Sequence, residues 1–148
     1  LDAVLNHARG ADVLVIAAAV ADFRPSHVAE QKIKKKEDTE GLTLELARNP
    51  DILLAVRDQR ATLNHPQVVV AFAAESENLL ENAAAKLKRK GAQLLVANDI
   101  TADDAGFAVD TNRVLILDAD GGQETLPLMS KVSVAERLIQ RVAGLLGT

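Results

Sequence analysis

The sequence contains no cysteine, tryptophan or tyrosine, and its only aromatic residues are Phe23, Phe72 and Phe107. The absence of cysteine excludes disulfides, thiolate metal sites and cysteine nucleophiles. The three histidines are scattered along the chain, which disfavours a histidine metal centre. No apolar run approaches the roughly 18–20 residues that cross a bilayer, and the net charge of −4 gives no reason to expect nucleic acid. We therefore expect neither a membrane nor a nucleic acid as a partner.

The composition that remains is typical of a globular domain. The chain has 148 residues, of which 48% are hydrophobic and 26% charged, so it is long enough to bury a core. The basic residues are unevenly placed, because eight of the 17 fall within Lys32–Lys36 and Lys86–Lys90. Such a concentration of cations in an acidic chain indicates a site for an anion.

Helical and strand-like hydrophobic patterns alternate along the sequence. Continuous apolar runs predict strands buried on both faces at 12–20, 68–74 and 93–97. Strict alternation predicts a short strand at 42–47, and 113–118 with 124–128 predict a β-hairpin. Apolar spacing of three to four residues predicts helices at 1–9, 51–61, 77–90 and 130–146. The fold class predicted is a three-layer, Rossmann-like α/β domain with a mainly parallel sheet and an antiparallel hairpin near the C-terminus.

We expect one domain over residues 1–148, with an exposed lysine-rich loop at about 24–41. Asn49 and Pro50 predict the N-cap and first position of the helix that follows them. Because open α/β sheets bind ligands beyond the carboxyl ends of their strands, the strand ends are the first places to look for chemistry.

Polar and aromatic residues stand at these strand ends. Asp22 and Phe23 follow the first buried strand, where the carboxylate could bind a ribose hydroxyl or a metal ion, or only cap the loop. Phe72 lies within the second strand and is either a core residue or a stacking platform. Five further residues near strand ends are candidates for magnesium binding or loop capping: Glu75, Asn98, Asp99, Asp103 and Asp104.

Each of the two cationic clusters has two explanations. The lysines of residues 32–36 predict either a flap that brings ammonium groups to phosphates or, more commonly for such a cluster, a solvated charge run. Lys86 and Lys90 lie on one helix face, where they either share an anion or complement the helix dipole. No glycine-rich phosphate loop and no GxSxG elbow is present, so lysine side chains and strand-end backbone would have to hold a nucleotide.

An ordered set of motifs gives the chain a family resemblance. The segments, in chain order, are AAAVADF, KIKK, ARNPDIL, VVAFAAE, Lys86 with Lys90, VANDI, GFAVDTN and LPLMSK. Their order and spacing resemble phosphopantothenate–cysteine ligase, and most closely the bacterial CTP-dependent form. That form is the ligase domain of the bifunctional DNA/pantothenate metabolism flavoproteins. The resemblance covers the chain from about Ala11 to the last helix.

The resemblance implies a cytoplasmic ligase of coenzyme A biosynthesis. Its substrates would be CTP, 4′-phosphopantothenate and cysteine. 4′-Phosphopantothenate would be joined to cysteine through an acyl-cytidylate, with release of pyrophosphate and CMP. It implies Mg²⁺ as the metal that accompanies CTP, a homodimer, and fusion to a flavin-dependent decarboxylase domain. Nothing in these residues resembles the flavoprotein half, so no flavin is expected in this domain.

The family's site residues transfer onto matching positions. Asp22 would contact the nucleotide, and Lys32 would act catalytically from the flap on the triphosphate and the acyl intermediate. Lys86 and Lys90 would hold phosphates. The base would be framed by Asn49, Pro50, Asp51, Ile52 and Phe72. The metal ligands are unknown.

The family begins with a strand, a glycine-rich turn and an asparagine segment before the region matched here. We therefore expect the chain to hold roughly the carboxyl-terminal two thirds of a ligase domain. Two alternatives remain at the level of sequence: a non-catalytic nucleotide-binding module, and an interaction domain whose lysine loop docks an acidic partner.

Overall fold

Four helices and seven strands make up the fold of the computed structural model, which describes residues 1–34, 41–75, 78–99 and 109–147. The helices are α1 (Asp2–Ala8), α2 (Ile52–Leu63), α3 (Leu79–Lys90) and α4 (Lys131–Leu146). The strands are β1 (Val13–Ile16), β2 (Phe23–Pro25), β3 (Leu46–Arg48), β4 (Val68–Glu75), β5 (Leu94–Asp99), β6 (Thr111–Asp118) and β7 (Gln123–Ser130). Within the described ranges, no helix is long and apolar enough to cross a bilayer.

Five strands form one mixed sheet in the order β1-β4-β5-β6-β7. β1, β4 and β5 are parallel to one another, whereas β6 runs antiparallel to β5, and β7 antiparallel to β6. The fold class predicted from the sequence, a mainly parallel sheet with an antiparallel hairpin, is thereby confirmed.

The central strands bury alternate side chains in two separate cores. Val69 and Ala71 face the core that α1, α2 and α3 cover. Val68 and Val70 face the opposite core, which α4 covers. Because both faces are covered, β4 and β5 are apolar along most of their length, as predicted from their continuous hydrophobic runs.

The β6–β7 hairpin is fixed to α4 by a partly buried charge network. The Asp118 carboxylate accepts hydrogen bonds from the Gly122 amide at 2.7 Å and from the Arg141 guanidinium at 2.6 Å. Glu124 accepts from Arg137 at 2.6 Å and from Arg141 at 3.0 Å. The hydrogen bond from Arg137 is the main reason why the pKa of Glu124 lies below its ordinary value.

The chain divides into two compact units, Leu1–Ala18 with Ile52–Thr148, and Ala19–Asp51. The smaller unit contains β2 and β3, which pair antiparallel with Phe23 opposite Arg48 and Pro25 opposite Leu46. The loop predicted at 24–41 falls within this unit, although its first two residues belong to β2. Residues 35–40 of that loop lie outside the described ranges.

Two strands differ from their sequence-based predictions. β1 is shorter than the predicted 12–20, and the prediction that it is buried on both faces is wrong, because Val15 is 42% exposed. The reason is that, among the described strands, β1 lies at the edge of the sheet beside β4, where fewer neighbouring side chains cover it. β3 covers 46–48 instead of 42–47, and the apolar side chains of the predicted alternation, Leu42, Leu44 and Leu46, are all exposed.

Candidate functional site

A cavity of about 420 Å³ opens at the carboxyl edge of the larger unit, on the face that α4 covers. β1, β4 and β5 end at this edge, and β6 and α4 begin there. Its lining consists of Val15, Ala17, Phe72, Asn98, Asn112, Lys131, Val134, Ala135, Leu138 and Ile139. The structure therefore brings two sequence-predicted candidates, Phe72 and Asn98, to one cavity at the edge where α/β sheets bind ligands.

The polar side of this cavity is built around two carboxamides. Asn112 is buried, and its Nδ2 donates to Asn98 Oδ1 at 3.1 Å while its Oδ1 accepts the Arg113 amide at 3.0 Å. Lys131 is the first residue of α4, and its amide donates to the Asp110 carbonyl at 2.9 Å. The helix begins there because the Ser130 side chain accepts the Ser133 amide, a typical N-cap.

A second group of candidates meets in the smaller unit. The Asn49 amide donates to the Asp22 carbonyl at 2.8 Å, and Asn49 Nδ2 donates to the Ala21 carbonyl, also at 2.8 Å. Arg24 donates from one nitrogen to the Arg48 carbonyl and to Asn49 Oδ1, both at 3.0 Å. The antiparallel pairing of β2 and β3 thus brings Asp22 and Asn49 together from positions 27 apart in sequence.

These contacts correct the role predicted for Asn49. Its carboxamide does not cap α2, because both ends of the group are engaged with Ala21 and Arg24. The helix begins at Ile52, whose partly buried side chain packs against the core beneath α1–α3. Pro50 is exposed between these two segments, and Asp51 is partly buried.

Arg24 and Arg48 were not among the residues predicted from the sequence. Arg48 lies over the exposed ring of Phe23, with its guanidinium carbon 6.0 Å from the ring centroid. The Arg24 side chain links the two strands by donating to the Arg48 carbonyl. Their roles depend on the pairing of two three-residue strands that are far apart in sequence. The periodicity of a single strand does not reveal such a pairing.

The predicted lysines occupy two different environments. Lys32 is exposed in the smaller unit, whereas Lys35 and Lys36 lie outside the described residues. Lys86 and Lys90 are partly buried in the second half of α3, and both take part in interactions with neighbouring groups. Since α3 follows β4 and precedes β5, this half of the helix runs away from the carboxyl edge. Their joint role in phosphate binding stays a prediction.

Most of the acidic candidates fall beyond what the structure describes. Asp103 and Asp104 lie outside the described ranges, as do the side chains of Glu75 and Asp99. In the remainder of the chain, no group of three or more histidine, aspartate or glutamate side chains could hold a metal ion.

Comparison with known proteins gives one consistent family. Coenzyme A biosynthesis bifunctional protein CoaBC of Bacillus subtilis is 41% identical over 144 residues, which are 97% of this chain and 34% of that protein. CoaBC of Mycolicibacterium smegmatis is 44% identical over 151 aligned positions, 98% of this chain and 36% of the relative. The chain thus spans about a third of the length of these relatives.

Solved structures with the same fold come from the same group. The crystal structure of the C-terminal domain of CoaBC matches with a TM-score of 0.73 and 32% identity, over 99% of this chain and 60% of that one. A Cab2 H337A mutant solved in complex with phosphopantothenate-cysteine matches with a TM-score of 0.67 and 20% identity, over 97% of this chain and 49% of that one. The family model of the DNA/pantothenate metabolism flavoprotein C-terminal domain matches residues 1–146. The chain therefore belongs to the family of DNA/pantothenate metabolism flavoprotein C-terminal domains.

Proposed function

We propose that the chain takes part in the ligation of 4′-phosphopantothenate to cysteine in coenzyme A biosynthesis. The substrate carboxylate attacks the α-phosphate of CTP to give an acyl-cytidylate and pyrophosphate, and the cysteine amine then displaces CMP to form the amide. The observation that carries the proposal is the family match over residues 1–146, which includes the cavity at the carboxyl edge. It is supported by the CoaBC relatives and by a fold neighbour that binds phosphopantothenate-cysteine.

Residues of the smaller unit are the first candidates for binding the nucleotide. Asp22 has its backbone carbonyl held by Asn49, and its carboxylate has no partner among the described residues. We assign this carboxylate to a ribose hydroxyl of CTP, since charged acceptors form the stronger hydrogen bonds. The turn at Asn49, Pro50, Asp51 and Ile52 offers backbone groups to the base, because the Asn49 carboxamide is already engaged.

Cationic side chains would balance the charge of the phosphates. The Lys32 side chain is exposed and is therefore accessible to a ligand. Its ammonium group suits the stabilisation of negative charge that develops when the carboxylate attacks CTP and when the amine displaces CMP. Lys86 and Lys90 would add to the phosphate site, and Phe72 would contact the base. Mg²⁺ would accompany CTP and neutralise part of the charge of its triphosphate.

The proposal is tested by pyrophosphate release from the protein as its gene encodes it. We expect release to require CTP, 4′-phosphopantothenate and Mg²⁺ together, and amide formation to require cysteine as well. Omission of each component in turn is the control. Equal turnover with ATP would contradict the assignment of CTP, and nucleotide binding with no release would favour a non-catalytic nucleotide-binding module.

A homodimer is the second part of the proposal, and the smaller unit supports it. Leu42, Leu44 and Leu46 stand at every second position of the segment that leads into β3, and all three are more than half exposed. Val28 is 88% exposed and Ile33 62% exposed in the same unit. A pair of short strands is marginally stable alone, and exposed apolar side chains favour burial, so a second copy of the chain is a fitting partner for these residues.

Light scattering on a sizing column tests this dimer. Leu44→Asp should shift the protein to the monomer, because a charge would be buried in the proposed interface. Thr43→Asp is the matched control, since it places the same charge on a neighbouring residue that is already polar. Equal masses for Leu44→Asp and the parent chain would contradict the interface.

We also propose that the ligase works beside a flavin-dependent decarboxylase on the same polypeptide. The support is that the relatives are bifunctional proteins about three times as long as this chain. The cytoplasmic location implied by the resemblance stays a prediction.

A further inference from the structure

Arg24 connects β2 to the point where the chain leaves β3. It is the middle residue of β2 and pairs with Ala47 across the strand pair. Its Nη1 donates to the Arg48 carbonyl and to Asn49 Oδ1, both at 3.0 Å. Since Nη1 carries two hydrogens, this one nitrogen can make both bonds at once. The guanidinium group therefore holds two successive residues at the end of β3.

Asn49 is held by three hydrogen bonds, one of which comes from Arg24. Its amide donates to the Asp22 carbonyl and its Nδ2 donates to the Ala21 carbonyl, each at 2.8 Å. Its Oδ1 accepts from Arg24 at 3.0 Å. Both ends of the carboxamide are thus engaged, the nitrogen as a donor and the oxygen as an acceptor, so the group has one favourable orientation. Of the three bonds, the one from Arg24 has a charged donor and is of the stronger kind.

The position of Asn49 sets the spacing between two proposed nucleotide contacts. The backbone bond to Asp22 ties Asn49 to the residue assigned to the ribose. Pro50 and Asp51 follow Asn49 directly and belong to the turn assigned to the base. The ribose and the base of one nucleoside lie at a nearly fixed spacing, because a single bond joins them. A shift of Asn49 would therefore place one of the two contacts out of reach of its group.

The side chain of Arg24 is exposed, which separates its effect on folding from its effect on binding. An exposed hydrogen bond adds little to the free energy of unfolding, because both groups would otherwise bond to water. It still limits the conformations of the residues that it joins, and this lowers the cost of ordering them when a ligand binds. Loss of the Arg24 bonds should therefore weaken ligand binding more than it weakens the fold.

We propose that Arg24 is a positioning residue of the nucleotide site, which acts through Asn49 to hold the turn that follows Asn49 at a fixed distance from Asp22. The inference rests on the proposed function, from which it takes the nucleotide. It gives a role in nucleotide binding to an arginine outside the two cationic clusters of the sequence.

Calorimetric titration with CTP, on the protein as its gene encodes it, tests the role of Arg24. Arg24→Met removes both bonds and should raise the Kd for CTP about tenfold. Arg48→Met is the matched control, because it removes an arginine side chain from the same strand pair but keeps the carbonyl that Arg24 uses. It should bind CTP like the parent protein. An equal loss in both variants would show that only the positive charge of the strand pair matters, and would overturn the inference.

CMP distinguishes positioning from a direct contact between Arg24 and the phosphates. A residue that acts on the base and the ribose should weaken CMP and CTP by the same factor in Arg24→Met. A residue that binds the phosphates should weaken CTP much more than CMP, because CTP carries two further phosphate groups. The second result would overturn the positioning role.

A double variant tests whether Arg24 acts through Asn49. Once Asn49→Ala has removed the carboxamide, Arg24 has no Oδ1 to hold, so adding Arg24→Met should raise the Kd for CMP by less than twofold. If the two substitutions instead raise the Kd by the product of their separate effects, Arg24 acts independently of Asn49 and the inference is wrong.

Hydrogen exchange shows whether Arg24→Met leaves the strand pair formed. The Ser26 amide, which donates to the Glu45 carbonyl at 2.8 Å, should exchange less than tenfold faster than in the parent protein. If this amide exchanges as fast as in an unfolded chain, Arg24 is required for the strand pair itself, and a role specific to nucleotide binding is overturned.

The failures of the two proposals are distinguishable. If the parent protein binds CMP and CTP but releases no pyrophosphate with 4′-phosphopantothenate, the proposed ligase function is wrong, and the titrations still decide the role of Arg24. If it releases pyrophosphate and Arg24→Met keeps the parent Kd for both nucleotides, only the role of Arg24 is wrong. If it binds neither nucleotide, both proposals are wrong.

Discussion

Asn49 is joined to the end of the segment before β2 by two hydrogen bonds, from its amide to the Asp22 carbonyl and from its Nδ2 to the Ala21 carbonyl, each at 2.8 Å. The first bond uses only backbone atoms, so it leaves the Asp22 carboxylate available to a ligand. The second uses the Asn49 side chain, which is therefore a structural group. Asp22 and Asn49 were both predicted from the sequence to contact the nucleotide, but their contacts in the structure indicate different roles. Mutation of each residue can separate these roles.

Asp22→Asn should weaken nucleotide binding without loosening the fold. The substitution keeps the size and the backbone bond but removes the charge from the proposed contact with the ribose, so we expect the Kd for CTP to rise about tenfold. Calorimetric titration measures the affinity, and the melting temperature should match that of the parent. An unchanged Kd would show that Asp22 only shapes the loop.

Asn49→Ala should instead loosen the β2–β3 pair. It removes the bond to Ala21 and the acceptor for Arg24, each worth about 1 kcal/mol. The Ser26 amide, which donates to the Glu45 carbonyl at 2.8 Å, is a convenient probe, and its hydrogen exchange should become about tenfold faster. The Val69 amide in β4 is the internal control. Equal acceleration at both amides would mean global destabilisation instead.

Lys32→Gln should lower the rate of pyrophosphate release by about 10²-fold, the usual cost of one donor to a developing oxyanion. Because the side chain is exposed, the free energy of unfolding should change by less than about 0.5 kcal/mol. Lys34→Gln, two residues along the same loop, should cost much less. Equal losses from both variants would indicate that the loop acts through its net charge, and a parent-like Lys32→Gln rate would indicate a solvated charge run.

Gly122→Ala should destabilise the β6–β7 hairpin. The added methyl group would overlap the Asp118 carboxylate, which three groups hold in place, namely the Gly122 amide, the Asp120 amide and Arg141. We expect a loss of about 1–3 kcal/mol in urea unfolding, as for other overpacked sites. Gly144→Ala meets no neighbouring atom and lies within α4, so it should stabilise the protein by about 0.5–1 kcal/mol. A neutral Gly122→Ala would show that the carboxylate can move.

Acid should weaken the contact between the hairpin and α4. The hydrogen bond from Arg137 lowers the pKa of Glu124, so its contribution to stability is complete above the ordinary glutamate pKa and is lost as the pH falls through the lower, folded-state pKa. In urea unfolding across that acidic range, Glu124→Gln should show a flatter decline than the parent. Glu136→Gln, on an exposed residue of α4, should show the parent's decline. Parallel curves for Glu124→Gln and the parent would contradict this role.

Elements with a strong periodic signal were predictable one at a time. α2 and α4 cover nearly the predicted residues, and β4 begins at the predicted Val68, because burial on a continuous face leaves a pattern in a single segment. β1 and β3 were predicted too long, since their ends depend on which neighbours cover them. Val15 is exposed because β1 is an edge strand in the part of the chain that the structure describes, although the β1 sequence resembles that of β4.

Some side chains of the candidate site were also predictable from the sequence, and others were not. Asp22, Phe72 and Asn98 were found from their positions at strand ends, which a linear sequence reveals. Asn112 and Lys131 end two of the motifs that carry the resemblance, GFAVDTN and LPLMSK, but no site role was predicted for them, because only the convergence of β5, β6 and α4 places them at one cavity.

The sequence by itself determined the class of the fold, the existence of its buried parallel strands β4 and β5 and the uneven distribution of its cations, because each of these depends on residue types at short spacing. Only the tertiary structure decided that Asn49 holds a strand pair together and that Asn98 accepts a hydrogen bond from Asn112. It also decided that Lys131 lines the same cavity as Phe72. Hydrogen-bond direction and cavity lining depend on contacts between residues far apart in sequence, which local pattern does not encode.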